Sequence, residues 1–180
     1  MNGNTQVINT APQGVILDTN IISYASNLPT EKQFLEYLQN LQKDHYELII
    51  SQFSIHEVLK QSQPKNESKL IQLLNLFKTL EVTRDILILS GLINTFYKLE
   101  SKDRKIEDGD LIIAATAFLN NSLILTANRN DYPTTFFEEL QVKPILYQEI
   151  PGLTRTLTIY LLKPKSDLIL KMVQDRLGKT

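Results

Sequence analysis

The chain has 180 residues, of which 42% are hydrophobic and 22% charged, and it contains no cysteine. This length and composition suit one globular domain with a sizeable core, and they exclude a wholly disordered chain, a disulfide scaffold and any site built on thiolates. The formal net charge of −1 does not mark a nucleic-acid binder by bulk charge, and the longest nearly apolar run, residues 111–119, is too short to span a bilayer.

The N-terminal residues 1–13 are polar and lack the basic segment of a signal peptide. We therefore expect a flexible N-terminal tail on a protein of the cytoplasm. The lack of cysteine in the sequence fits a reducing compartment of this kind.

Three short apolar runs without alternation predict buried strands of a parallel sheet. They are residues 15–17, 48–50 and 123–125, and each is followed by a polar residue. A weaker fourth run, residues 142–146, contains Pro144. This run predicts an edge strand, because proline cannot donate a hydrogen bond to a neighbouring strand.

Helical patterns separate these runs. The spacing of apolar residues predicts helices at residues 30–43, 51–60, 66–79, 85–102 and 108–121. Thr30 is the predicted N-cap of the first helix. Strands that alternate with helices predict an α/β layered fold with a central, mainly parallel sheet.

The C-terminal part of the chain has a different pattern. Residues 156–162 alternate as a strand does, Pro164 interrupts them, and residues 166–177 predict a helix capped by Ser166 and closed by Gly178. We expect a strand–helix extension and not an independent domain. A pair of this size cannot bury its own apolar faces, so it packs either on the body of the protein or against a second chain.

Acidic residues recur at the ends of the predicted strands where ligands bind in parallel α/β sheets. Asp18 follows the first strand, and Asp131 lies shortly after the third. Glu57 lies in the helix after the second strand, and Asp110 lies in the first turn of the helix at residues 108–121. Such a cluster repels itself unless a cation neutralises it, and oxygen ligands suit Mg²⁺ or Mn²⁺.

Each acid also has an ordinary structural explanation. Asp108 and Asp110 are favoured at a helix N-terminus by capping and by the helix dipole. Glu57 fits an exposed helix position, and Asp131 fits a turn. Asp18 is harder to explain in this way, because an acid at the end of a buried strand is costly unless it has a partner.

Four motifs, in this order along the chain, resemble those of PIN domains, and most closely those of the VapC-like toxins of bacterial toxin–antitoxin pairs. They are Asp18-Thr19-Asn20, residues 51–57 ending on Glu57, Asp110-Leu111-Ile112-Ile113-Ala114-Ala115, and Thr126-Ala127-Asn128-Arg129-Asn130-Asp131-Tyr132. The resemblance covers residues 14–147 and implies a three-layer α/β/α fold there. It leaves residues 148–180 as a C-terminal extension.

The resemblance implies a metal-dependent endoribonuclease, with one or two Mg²⁺ or Mn²⁺ ions held among Asp18, Glu57, Asp110 and Asp131. Asp18 and Asp110 are the expected direct ligands, since a strand end and a helix start are rigid supports. This sequence has Asn128 where some relatives carry an acid, which weakens the fourth ligand, and Asp108 is a candidate extra member. The same resemblance implies an RNA substrate, an antitoxin partner that covers the acidic groove, and a homodimer.

The chemistry requires a cation, because a carboxylate cluster cannot bind an anionic phosphodiester alone. A metal ion lowers the pKa of bound water and stabilises charge on the phosphate oxygens, and this route leaves a 5′-phosphate and a 3′-hydroxyl. We expect Glu57 to hold or deprotonate the attacking water. Thr126 is expected to orient a carboxylate or a phosphate, and Arg129 to bind a phosphate. A cluster of lysine and arginine at residues 98–105 is explained equally well as a solvated helix end.

Three other functions fit the sequence less well. His45 and His56 would suit a metal-free ribonuclease that forms a cyclic phosphate, but His45 precedes a strand and His56 points about 100° away from Glu57 on a helix. A haloacid-dehalogenase-like phosphatase needs a second acid where Asn20 stands. A non-catalytic PIN-like RNA-binding or assembly module is the alternative, and metal-dependent cleavage of RNA distinguishes it from the nuclease.

Overall fold

A computed structural model of the protein describes residues 14–27, 29–100 and 105–178. Six strands form one mixed sheet. The predicted tail at residues 1–13 lies outside the described residues. The strands are β1 (Gly14–Leu17), β2 (Glu47–Ser51), β3 (Lys78–Leu80), β4 (Leu123–Thr126), β5 (Phe137–Ile150) and β6 (Leu153–Pro164). Their order across the sheet is β3-β2-β1-β4-β6-β5.

Strands β1 to β4 are parallel to one another, so their carboxyl ends lie at one edge of the sheet. Strand β6 pairs antiparallel with both β4 and β5. The sheet is thus parallel in its first four strands, as predicted, and β5, which contains Pro144, is an edge strand as predicted.

Seven helices accompany the strands in the described part of the chain. They are α1 (Thr19–Ser26), α2 (Glu31–Lys43), α3 (Gln52–Gln61), α4 (Glu67–Leu74), α5 (Arg84–Glu100), α6 (Asp108–Leu119) and α7 (Ser166–Leu177), with short 3-10 turns at Pro64–Asn66 and Arg129–Asp131. None of these helices has the length and apolar character that crossing a bilayer requires.

Two hydrophobic cores, one on each face of the sheet, produce the three layers. Val15 and Leu17 of β1 face one core, which α1, α2, α3 and α4 cover. Ile16 faces the other core, which α5, α6 and α7 cover. Alternate residues of a strand point to opposite faces, so an unbroken apolar run is buried on both sides. The three-layer α/β/α fold is confirmed.

Two local predictions were wrong. The helix predicted at residues 66–79 ends at Leu74, and Lys78–Leu80 instead forms the edge strand β3. Ser166 is the first residue of α7, and Lys165 is its N-cap. Thr30 occupies the predicted N-cap position of α2, where its hydroxyl donates to the carbonyl of Tyr24 at 2.6 Å instead of capping an N–H group. Helix α1 was not predicted.

The C-terminal strand–helix pair packs on the body of the protein. Strand β6 lies inside the sheet, between β4 and β5, and places Ile159 and Leu161 in one core and Leu162 in the other. Strand β5 runs through residue 147, the predicted domain boundary. Because Thr126 at the end of β4 pairs with Tyr160, the rest of the β5–β6 hairpin extends past the carboxyl edge of the parallel strands.

Candidate active site

An acidic cavity of about 480 Å³ opens at the carboxyl edge of the sheet. Five carboxylates line it, namely Asp18, Glu57, Glu107, Asp110 and Asp131. The four acids predicted from the sequence are therefore brought together. Asp108 is exposed and does not line the cavity, whereas Glu107, which the sequence did not indicate, does.

Asp18 is held in one orientation by its neighbours. It ends β1 as the N-cap of α1 and is only 2% exposed. Its Oδ2 atom accepts hydrogen bonds from three side chains: Thr126 Oγ1 at 2.6 Å, Asn20 Nδ2 at 2.8 Å and Tyr132 Oη at 3.3 Å. Its Oδ1 atom accepts one bond of 3.3 Å, from the backbone N–H of Asn20. A buried carboxylate needs such donors to offset the water that it has lost.

Asn20 ties this carboxylate to the chain that follows β4. Its Oδ1 atom accepts from the backbone N–H of Ala127 at 3.0 Å, and its Nδ2 also lies 3.2 Å from Thr126 Oγ1. The same Thr126 oxygen accepts from the backbone N–H of Asn128 at 2.9 Å. The sequence left open whether Thr126 orients a carboxylate or a phosphate. Thr126 is fully buried, and its hydroxyl contacts the carboxylate of Asp18.

Burial raises the pKa of Asp18 to about 6, against the opposing effect of the Thr126 and Asn20 hydrogen bonds. Burial also raises the pKa of Asp110 to about 8, with further contributions from the charges of Asp18, Asp131, Glu107 and Glu57. Crowded carboxylates cannot all ionise without a counter-charge. At neutral pH the cluster therefore retains a proton, which a cation can displace.

Glu57 lies between a hydroxyl group and a glycine. Thr19 Oγ1 donates to Glu57 Oε2 at 2.6 Å. A Cβ atom at Gly109 would lie only 2.7 and 2.8 Å from the two carboxylate oxygens of Glu57. The carboxylate thus rests on the first turn of α6, where the helix dipole favours a negative charge, and it can do so because residue 109 has no side chain.

Asn128 holds the fourth predicted acid. Its Nδ2 atom donates a short hydrogen bond to Asp131 Oδ2 across the turn Arg129–Asp131. The amide that stands where some relatives carry an acid thus fixes the direction of Asp131.

The basic residues lie differently from what the sequence suggested. Arg129 does not line the cavity; its Nε atom donates to Glu139 Oε1 of β5 at 2.7 Å, and its side chain is 13% exposed. Lys105 does line the cavity, and it makes no ion pair with the described residues. The phosphate-binding role of Arg129 stays a prediction, and it would require the ion pair with Glu139 to open.

The two histidines lie outside the cavity lining. His45 precedes β2, at the end of the sheet opposite to the acids, and the exposed His56 lies beside the ring of Phe53. An acid–base pair of histidines in this cavity is therefore not available.

The donor set of the cavity fits a hard divalent cation in kind. Its acidic side chains all offer oxygen atoms as ligands, and burial together with the neighbouring carboxylates raises the pKa of Asp110. Among the described residues, however, no three acidic or histidine side chains stand close enough to share one ion. A cation shared by three of these acids would therefore require their side chains to move closer together.

Comparisons with known proteins identify the fold. A family model of the PIN domain matches residues 15–133. The crystal structure of VapBC2 from Rickettsia felis bound to a DNA fragment from their promoter is similar, with 28% identity and a TM-score of 0.55, covering 64% of this chain and 88% of that one.

Two further structures share the fold at 20% identity and a TM-score of 0.55. The match to FitAcB from Neisseria gonorrhoeae covers 66% of this chain and 90% of the matched chain. The match to FitAB bound to an IR36 DNA fragment covers 66% of this chain and 87% of the matched chain. No curated protein sequence matches the chain. The family match includes the four predicted acids and ends before β5, so the β5–β6 hairpin and α7 lie outside it. The match spans more than half of the sequence and includes every acid that lines the cavity. The chain therefore belongs to the PIN domain family.

Proposed function

We propose that the protein is a metal-dependent endoribonuclease that hydrolyses RNA phosphodiesters, and that it is the toxin of a toxin–antitoxin pair. The observation that carries the proposal is the convergence of five carboxylates at the carboxyl edge of the sheet, around a clamped Asp18. Membership of the PIN family supports it, since PIN domains are generally nucleases and usually use a divalent metal.

The residues of the cavity have different roles in this proposal. Asp18 and Asp110 would hold the cation, Asp18 with its carboxylate fixed by its donors and Asp110 from the first turn of α6. When bound, a divalent cation supplies positive charge for the phosphate oxygens and makes water a stronger nucleophile at neutral pH. Glu57, oriented by Thr19, takes the proton of the attacking water.

Two other residues complete the site in this proposal. Asp131, held by Asn128, adds negative charge near Asp18 and Asp110 and would help to retain the cation. Lys105 meets a phosphate of the substrate, because it is the lysine that the described cavity lining provides.

The similar structures support an antitoxin partner. The VapBC2 complex and the FitAB complex are both assemblies that were solved with DNA. By likeness to them, and to the VapC-like motifs, we propose that this chain forms a homodimer and binds an antitoxin that covers the acidic cavity. The proposal places the protein in the cytoplasm, where its RNA substrate is found.

The test compares Asp18→Asn and Asp110→Asn with Asp108→Asn. Asp108 is the matched control, because it lies in the same helical turn as Asp110 but is exposed and outside the cavity. We expect the first two variants to lose more than about a hundredfold in cleavage of a long single-stranded RNA with Mg²⁺ or Mn²⁺, while the control keeps its activity. Thermal unfolding checks that all three remain folded.

The product ends and the effect of EDTA complete the test. We expect 5′-phosphate and 3′-hydroxyl ends, and no cleavage after chelation. Undiminished cleavage by both cavity variants contradicts the site. RNA binding without metal-dependent cleavage by the wild type instead supports the alternative, a non-catalytic PIN-like RNA-binding or assembly module.

A further inference from the structure

A second cavity of about 430 Å³ adjoins the acidic one. Ser23 and Gln61 line both, so the two cavities form one continuous cleft. The second cavity, here named the amide groove, runs along the C-terminal ends of α1 and α3 to the 3-10 turn Pro64–Asn66. Its characteristic lining residues are Asn27, Gln61, Gln63, Lys65 and Asn66.

The charge of the cleft changes between its two parts. Five carboxylates line the acidic cavity, whereas the described lining of the amide groove has no carboxylate and a single charged residue, Lys65. The apolar residues of the groove are Val58 and Leu70, which are only 3% and 4% exposed. The surface that the groove offers to a ligand is therefore polar, and its one charge is positive.

The side-chain amides of this groove form no hydrogen bonds with the described part of the protein. Within the described chain, no side-chain hydrogen bond forms at Asn27, Gln61, Gln63 or Asn66. Other amides of the protein are used internally, as in the bond from Asn20 to Asp18 and the bond from Asn120 to the carbonyl of Thr116. Each free amide offers two donors and an acceptor. Four of them around one groove form a dense set of groups that can bind a polar, planar ligand.

Base edges of a single-stranded nucleic acid match these groups. Asn and Gln side chains pair bidentately with base edges, and RNA exposes those edges where it is unpaired. Lys65 suits a backbone phosphate. A protein segment fits less well, because protein partners are anchored mainly by buried aromatic and other apolar side chains, and the apolar residues of this groove are already covered.

We propose that the amide groove binds the single-stranded RNA next to the scissile phosphate, and that its amides set the sequence preference of cleavage. The proposal rests on the proposed nuclease function, since continuity with the acidic cavity places the bound nucleotides beside the reacting bond. The amides read bases, while Lys65 neutralises a phosphate whatever the sequence.

The first experiment measures binding apart from cleavage. Asp110→Asn protein, expected to be inactive, is titrated into fluorescent single-stranded RNAs of about 12 nucleotides with different sequences, and anisotropy gives the Kd. We expect Gln63→Ala and Asn66→Ala, added to this background, to weaken binding of the preferred sequence about fivefold or more and to reduce the differences between sequences. Gln72→Ala is the control, since Gln72 is an exposed amide on α4 outside both cavities.

The lysine gives an independent readout. We expect Lys65→Ala to weaken binding of all the RNAs alike and to reduce the slope of log Kd against log salt by about 0.7, the value for one phosphate contact on a single strand. Lys60→Ala is its control, because Lys60 is an exposed lysine on the neighbouring helix α3 that lines neither cavity.

The second experiment maps cleavage positions on a long RNA in the active background. Gln63→Ala and Asn66→Ala should change which positions are cut, while the rise in melting temperature with Mn²⁺ stays that of the wild type, since the acids are untouched. The proposal is overturned if Gln63→Ala and Asn66→Ala keep the Kd values and cleavage pattern of the wild type. If the same variants instead lose binding to a protein partner, the groove is a protein-binding site. If the protein binds RNA through the groove but never cleaves it, the proposed nuclease function is refuted, whereas the groove remains an RNA-binding site.

Discussion

The two oxygens of the Asp18 carboxylate have different surroundings. Oδ2 accepts from Thr126, Asn20 and Tyr132, whereas Oδ1 accepts only one bond of 3.3 Å, from the Asn20 backbone. A carboxylate oxygen with three donors has little capacity left for a further ligand. The oxygen that remains available to a cation is therefore Oδ1, and the donors to Oδ2 fix its direction.

Tyr132→Phe tests this clamp with a small change. Tyr132 is fully buried, and the substitution removes one donor to Asp18 without opening a cavity. We expect the free energy of unfolding to fall by about 1 kcal/mol. Mn²⁺ should then be needed at a higher concentration to raise the melting temperature, because Asp18 is less well oriented. Tyr147→Phe on β5, outside the acidic cavity, is the control, and the same Mn²⁺ dependence in both variants contradicts a role for Tyr132.

The pH dependence of stability follows from the raised pKa values. Asp18 and Asp110 have pKa values of about 6 and about 8 in the folded protein, above the usual value of about 4 in an unfolded chain. Between about pH 4 and about pH 8 the folded state thus binds more protons than the unfolded state. Stability without metal should therefore fall as the pH rises through this range.

Melting temperatures in EDTA at about pH 5 and about pH 8 measure this effect. We expect the metal-free wild type to be more stable at the lower pH, and Asp110→Asn to show a smaller difference, because one titrating group is gone. Mn²⁺ should reduce the difference by stabilising the ionised acids at the higher pH. If the stability of the wild type changes between these pH values to the same extent as that of Asp110→Asn, the assignment of a raised pKa to Asp110 is refuted.

Single residues of the site were predictable where a motif places them at the end of a strand or the start of a helix. The four predicted acids do meet in one cavity for that reason. Glu107 was missed, because it lies just before α6 and its contact depends on where that helix begins. The ion pair of Arg129 with Glu139 was also missed, since it joins the turn after β4 to the edge strand β5 and no periodicity records such a contact.

At the scale of elements, α3 and α6 must approach closely for Glu57 to reach the cavity. Gly109 is the point of closest approach, because a Cβ atom there would overlap both carboxylate oxygens of Glu57. Gly91 in α5 offers a matched comparison, since a Cβ atom there would have no neighbour within 4 Å. The two glycines are both helical but differ in what surrounds them.

Gly109→Ala and Gly91→Ala should therefore have different effects on stability and activity. Gly91→Ala should stabilise the protein by up to about 1 kcal/mol, through helix propensity alone. Gly109→Ala gains the same propensity but displaces Glu57, so we expect a smaller stabilisation or a loss, together with about tenfold or greater loss of RNA cleavage. Thermal unfolding and cleavage rates measure both, and full activity in Gly109→Ala means that the position of Glu57 is unimportant.

Among the elements, the long helices and the buried apolar strands β1, β2 and β4 were predicted, whereas strand β3 and helix α1 were not. Helices α2 and α5 repeat their apolar residues over three or more turns, and α6 is a long, almost continuous apolar segment, so all three are identified from sequence. Strand β3 has three residues, of which two are exposed, so no burial pattern marks it. Helix α1 has eight residues and follows β1 after Asp18 alone, so its signal merges with the strand before it.

For the whole molecule, the position of β6 decides what the C-terminal segment does. The sequence predicted a strand and a helix there but not that the strand enters the sheet between β4 and β5. That order depends on pairing between residues far apart in sequence, for which an alternating pattern gives no partner. Because β6 supplies Ile159, Leu161 and Leu162 to the two cores, residues beyond the family match are part of the fold.

Two truncations test the importance of this strand. Ending the chain after Glu149 removes β6. This leaves β4 with an unpaired edge and β5 without the strand that it pairs with among the described residues, so we expect an unfolded or aggregated protein. Ending it after Lys165 removes only α7, in which Ile169 is the fully buried residue, and should give a folded protein that is less stable by roughly 3 kcal/mol. Light scattering and thermal unfolding distinguish the two results. A folded protein with cooperative unfolding after truncation at Glu149 means that β6 is dispensable for the fold, and it returns the C-terminal segment to the role of an interface with a second copy or an antitoxin.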